Sequence, residues 1–158
     1  MEITSERFGA IAADDSMTIL MAAPVLGFPE TSSYVLVEDG PGSPFTWLQS
    51  VQQPELAFAA VNPFDFYAQY DFELARADQD DLQLDRSEEA HVLVLISIPP
   101  RPQDMTANLV APIVINLRNR RAKQVVLYDS LYTTRHYLLP EEVRQADDTE
   151  ARLAGGDR

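Results

Sequence analysis

Apolar residues along this chain recur mostly at every second position or in short unbroken blocks, and Pro, Gly, Asp and Asn separate them. That is the pattern of β-strands joined by tight connections. Met17 to Met21, which alternates around Thr18, Tyr34 to Val37, Phe45 to Val51 and Ala57 to Val61 each read as a strand. In the third of these, Phe45, Trp47, Gln49 and Val51 share one face and Thr46, Leu48 and Ser50 share the other. His91 to Ile98, Leu109 to Asn116 and Lys123 to Tyr128 are apolar on both faces, as strands are when covered on each side or wrapped into a barrel. Pro112 falls inside the Leu109 block, and its missing N–H predicts an edge or a bulge there. The stretch from Leu117 to Ala122 joins two strongly apolar runs through a few polar residues, so Leu109 to Tyr128 reads as a hairpin.

Helix signals are sparse. Asp78 is placed to cap a short turn running to Leu84, with Asp80 and Asp81 in its positive first turn. Near the end, Pro140 reads as a first helical residue, with Glu141 and Glu142 behind it, a thin apolar stripe of Val143, Ala146 and Leu153, and Gly155 as a stop. The expectation is a mainly β fold: a small closed or semi-closed antiparallel β-barrel with one or two short helices. It spans residues 1–139 and is followed by an acidic C-terminal tail, 140–158, that is helical or partly disordered.

Composition narrows the function. The 158 residues are 46% hydrophobic and 23% charged, which suits one globular domain. Twelve Lys and Arg against 25 Asp and Glu give a net charge of -13, a field that repels nucleic-acid phosphates and attracts basic partners. Without cysteine there is no disulfide, thiolate metal site or thiol nucleophile. The longest uncharged run, Ser16 to Pro29, is broken by Pro24 and Gly27 and follows two aspartates where a signal peptide wants basic residues. No run approaches the roughly 20 apolar residues of a membrane helix, so a cytoplasmic protein without membrane contact is expected. Asp65 to Glu89 holds nine acidic residues and two arginines, net -7, whereas Arg101 to Lys123 holds five basic residues against Asp104, net +4. The hairpin tip at Arg118, Arg120 and Arg121 reads as a solvated turn, with contact to an acidic partner as the alternative.

Candidate chemistry is thin. His91 and His136 stand in none of the spacings that bind zinc, and His91 opens a buried strand, a structural position. Asp78, Asp80 and Asp81 lack the glycine and closing glutamate of a calcium loop, and Gly40-Pro41-Gly42-Ser43 is a turn without the lysine of a phosphate cradle. No catalytic residue, metal or cofactor is expected. Phe64, Phe66, Tyr67, Tyr70 and Phe72 crowd nine residues amid acidic groups. They either plug the barrel or form a surface for an apolar or basic protein segment.

Several strings carry a family resemblance. Pro44-Phe45, Trp47-Leu48-Gln49-Ser50, Leu56-Ala57-Phe58, Pro63, Tyr70 and Phe72-Glu73-Leu74 come first. Thr106, Asn108-Leu109, Ala111-Pro112-Ile113-Val114-Ile115-Asn116 and Lys123-Gln124-Val125-Val126-Leu127 follow. From about Ile3 to His136 the chain closely resembles the flagellar assembly factor FliW family. That resemblance implies a small non-catalytic β-barrel that binds newly made flagellin in the cytoplasm. It also implies binding to the translational regulator CsrA, away from its RNA-contacting surface, which relieves repression of flagellin synthesis once flagellin export has freed the barrel. The expected contacts are Asn62, Pro63, Phe64, Phe66, Tyr70 and Glu73, with Tyr132, Arg135 and His136. One departure is Pro24-Val25-Leu26-Gly27-Phe28, where the family has a Gly-(Leu/Ile)-Pro-Gly-Phe turn; proline cannot take glycine's positive φ, so a different turn geometry is expected. The alternative readings are a small-ligand-binding or hydrolytic β-barrel with an internal cavity, and a homo-oligomer joined through the aromatic edge, although a monomer is favoured.

Overall fold

The computed structural model describes residues 1–145. The tail positions Ala146, Leu153 and Gly155 lie outside the described residues. In chain order the strands are β1 (Glu2–Ser5), β2 (Gly9–Ala12), β3 (Thr18–Met21), β4 (Ser33–Glu38), β5 (Phe45–Ser50) and β6 (Ala57–Val61). Then come helix α1 (Arg76–Leu82) and strands β7 (Ala90–Ser97), β8 (Thr106–Ala107), β9 (Ile113–Asn116), β10 (Arg121–Gln124) and β11 (His136–Tyr137).

Neighbouring strands run β7-β6-β5-β4-β3-β10-β9, and β9 pairs back onto β7, so seven strands close a barrel. Closure removes the exposed edges that open sheets must otherwise protect. Every pair in the ring is antiparallel except β3 with β10, which is parallel through Arg121 opposite Leu20 and Ala122 opposite Met21. The closed antiparallel barrel expected from the sequence is what forms, with this one parallel seam added. Seven is an odd number of strands, so alternating directions cannot close the ring without one parallel pair; β10 leaves the tight turn after β9 and meets the free edge of β3 running the same way.

Alternation decides what fills the barrel. Leu36 stands opposite Leu48, Leu48 opposite Phe58, and Ala60 opposite Leu95. These residues meet Ile19, Met21, Tyr34, Leu93, Ile113, Ile115 and Ala122 in one interior cluster. Side chains fill the lumen, as expected for a barrel this narrow. The other parity of the strands is covered in three places. The β1–β2 hairpin puts Ile3 and Ile11 over Val35 and Val37. Helix α1 puts Leu82 over Val114 and Val125. The segment after β6, together with the chain from Met105 to Leu138, covers Val61 and Val94.

Several boundaries differ from the sequence reading. Leu109 to Pro112 is irregular and β9 begins at Ile113, directly after the proline, where a missing N–H costs no ladder bond. The hairpin stands, but its second strand is β10, Arg121–Gln124, which begins before the Lys123–Tyr128 block and ends within it; beyond β10, Val125 N–H donates to the Pro112 carbonyl at 2.9 Å and Leu127 N–H to the Val110 carbonyl at 2.8 Å. Helix α1 is preceded by Ala75, without a side-chain cap, and Asp78 sits inside the first turn, where it pairs with Lys123 at 2.7 Å. The Arg118–Arg121 tip is not merely solvated. Arg118 Nε meets Glu89 at 2.9 Å, Arg121 Nε donates to the Asp81 carbonyl at 2.9 Å, and Arg120 Nε donates to the Thr18 carbonyl at 3.3 Å. At the departed turn, Phe28 N–H donates to the Val25 carbonyl at 2.9 Å and Gly27 takes φ 89°. The positive φ falls on the glycine that this chain retains, and Pro24 stands before the turn.

Candidate functional site

The segment that leaves β6 is shaped by its own residues. Asn62 Oδ1 accepts the Phe64 N–H at 3.0 Å and Pro63 opens a short 3-10 turn, Pro63–Asp65. That turn throws the chain outward, so the aromatic residues behind it pack on the barrel wall. They do not plug the lumen, which closes the first of the two sequence readings for these rings.

The rings form a chain of contacts. Tyr70 lies 5.8 Å from Phe64, 5.6 Å from Phe72 and 4.7 Å from Tyr132, in tilted geometry. Tyr132 meets His136 at 6.1 Å and Tyr67 meets His136 at 6.3 Å, edge to face. These separations lie within the range where ring quadrupoles add to burial. Residues 62–73 and 132–136, far apart in sequence, therefore share one face.

Within that face the predicted residues divide by exposure. Tyr70 is only 4% exposed and its hydroxyl donates to the Leu109 carbonyl at 2.8 Å. Pro63 is also buried, and Phe66 is half-buried in the same outer cluster. Tyr67 donates to the carbonyls of His136 at 3.0 Å and Tyr137 at 2.8 Å, and burial pushes its phenol up to about 12. Burial also raises the Tyr70 phenol, with the neighbouring Tyr132 adding to the effect. These groups hold the face in shape. Phe64 is 49% exposed, and Glu73 and Arg135 are open to solvent. The Tyr132 hydroxyl is clasped by Asp71, accepting its N–H at 3.0 Å and donating to its carbonyl at 3.1 Å. His136 Nε2 accepts the Thr133 N–H at 2.8 Å, which fixes the loop before β11.

Sequence reasoning missed the trough beside this face. Its floor is the outward side of β7 and β9, with Val92 opposite Val114 in register. Phe72 and Leu74 line one side and Leu84 the other, around about 480 Å³ of space. The available signal was the apolar character of both faces of β7 and β9, which called for more covering chain than the short α1 segment supplies.

His91 faces the lumen opposite Ile115, and burial, with Arg120 nearby, holds its pKa below the ordinary value. Among the described residues no group of three or more His, Cys, Asp or Glu is placed to hold a metal ion. No helix among them is long and apolar enough to cross a membrane.

A closed barrel with a packed interior and its exposed chemistry on an outer aromatic and acidic face defines the class. The FliW protein family matches residues 2–138. Flagellar assembly factor FliW of Magnetococcus marinus is 38% identical over 157 residues, covering 99% of this chain and 96% of its own length. That of Bacillus subtilis is 37% identical over 136 residues, covering 86% and 95%. A crystal structure of the flagellar assembly factor FliW superposes with a TM-score of 0.84 at 32% identity, over 90% of this chain and 99% of the other. This chain belongs to the FliW family of flagellar assembly factors.

Proposed function

We propose that the protein binds flagellin in the cytoplasm and antagonises the translational regulator CsrA, relieving repression of flagellin synthesis, and that it acts by occupying these proteins rather than by bond chemistry. Family membership supports the setting. The observation that carries the reading is the convergence of Phe64 and Tyr132 around Tyr70, with Glu73 beside Phe64, on one outer face of a chain with net charge -13. Exposed rings supply anchors for a partner's apolar side chains, and carboxylates around them favour a basic partner. CsrA is a basic RNA binder. A strongly acidic protein seated on it raises the electrostatic cost of RNA approach without covering the RNA contacts themselves.

Calorimetric titration of the full chain with the host's own flagellin and CsrA tests this. Saturable binding of each is expected, and Phe64→Ala together with Glu73→Lys weakens at least one of them by about tenfold, the scale of losing an interface anchor. Absence of binding to both proteins at tens of micromolar defeats the proposal. The protein is expected to sediment as a monomer across concentration.

A further inference from the structure

We propose that the trough beside Phe72 and Leu74 docks an extended segment of a partner protein, carrying apolar side chains alternating with lysines or arginines, as a strand added along residues 72–74. The proposal rests on the protein-binding reading above and gives it a subsite and an occupant chemistry.

The first observation is periodicity. From Asp71 to Leu74 the residues are exposed, half-buried, exposed and half-buried, the alternation of an extended chain, yet this stretch belongs to no sheet. Phe72 and Leu74 turn toward the barrel and Glu73 turns out. The second observation is the hydrogen-bond account. Among the described residues the N–H and C=O of Glu73, the C=O of Phe72 and the N–H of Leu74 have no protein partner. A residue in an extended chain presents its N–H and C=O to the same side, so Glu73 offers the donor–acceptor pair that a neighbouring strand takes up.

The third observation is what surrounds those groups. The floor, Ala90, Val92 and Val114, has no polar side chain, which gives a small polar ligand nothing to grip but suits alternate side chains of a strand. The rim is acidic, with Asp71, Glu73 and Asp85 against Arg86. Asp85 is available to a visitor: its side chain is 82% exposed and its ion pair among the described residues, to Arg118, is long at 3.8 Å. Rim carboxylates repel anionic occupants and pair with lysine or arginine placed between the apolar anchors.

The test uses the full chain and acetylated, dye-labelled peptides of about six residues, the usual strand length. Alternating Lys and Leu is expected to bind, with backbone amide shifts at residues 72–74 and weakening as salt rises to about 1 M, where the screening length falls to about 3 Å. Glu73→Pro removes the N–H, Val92→Trp fills the floor, and each is expected to weaken binding by about tenfold or more. Glu73→Gln keeps the backbone and is expected to lose less affinity while flattening the salt dependence. Unchanged affinity in both Glu73→Pro and Val92→Trp overturns the proposal. So do equal binding of an alternating Glu and Leu peptide, tighter binding of a helix-forming Lys and Leu peptide, and self-association that either variant abolishes. The wild-type amide shifts decide the matter even if a variant fails to fold, because changes confined away from 72–74 also overturn it. If the peptide binds here while flagellin and CsrA do not bind the wild type, the functional reading fails and the docking site stands. If both proteins bind and the peptide does not, the reverse holds.

Discussion

Two tyrosines show how a single hydroxyl changes its worth with its surroundings. Tyr34 is fully buried in the lumen and its hydroxyl has no partner among the described residues, whereas the Tyr70 hydroxyl is bonded to the Leu109 carbonyl at 2.8 Å. Replacing Tyr34 by Phe removes an unsatisfied polar group, so chemical denaturation should find stability unchanged or raised, to within about 0.5 kcal/mol of the wild type on the low side. Replacing Tyr70 by Phe strands a buried carbonyl and should cost about 1–3 kcal/mol. Titration gives a second check. Burial pushes the phenols of Tyr34 and Tyr67 up to about 12 from 10.0, so the fold prefers them neutral. Their contribution is complete below pH 10 and is lost as pH rises toward 12. His91 has the opposite dependence: burial lowers its pKa below 6.5, so its contribution is present above that pH and is lost as pH falls through the lowered value. Unfolding midpoints measured across pH should fall at both ends, and His91→Phe should flatten the acid limb.

Helix α1 is too short to persist alone, since isolated helices under about 12 residues are marginal in water. The hairpin between β9 and β10 holds it. Asn116 Nδ2 donates to the carbonyls of Leu82 at 2.9 Å and Gln83 at 3.2 Å, Asn119 Nδ2 donates to Leu82 at 3.2 Å, and Lys123 Nζ reaches Asp78 and Asp81 at 2.7 Å each. Donors thus meet the carbonyls left open at the helix C-terminus, where Arg118 adds a cation through its 2.7 Å bond to the Gln83 carbonyl. Asn116→Ala should cost about 2–3 kcal/mol and speed amide exchange over 76–84. These contacts also explain what could be read in advance. The strands β4 to β6 were legible as short apolar runs bounded by turn residues, and β7 as an unbroken apolar block, His91 to Ile98, long enough to stand out. Strands β1, β2, β8 and β11 were not, because Glu2–Ser5 and His136–Tyr137 are too short to establish a period. Asp78 was misread as a cap because only the fold brings Lys123 to it. In the candidate face the rings of 64–72 were visible as a cluster, but the trough is built from Val92 and Val114, whose common side depends on a strand pairing that sequence spacing does not encode.

At the scale of the whole molecule, charge and topology act separately. A net charge of -13 shapes encounters more than contacts. Association with a basic partner, followed by stopped-flow, should slow steeply as salt rises, while dissociation changes much less. Topology governs how the barrel forms. Pairings between distant parts of the chain place its folding on the millisecond to second scale, which refolding jumps can time. The parallel seam carries this further, since the Leu20 N–H donates to the Arg120 carbonyl, 100 positions further along the chain, at 2.9 Å. During synthesis at roughly 5–20 residues per second, β3 waits about 5–20 s for the strand that completes the ring. Over that interval the nascent chain carries an unpaired strand edge and an uncovered apolar lumen, which is the stage at which misassembly competes with closure.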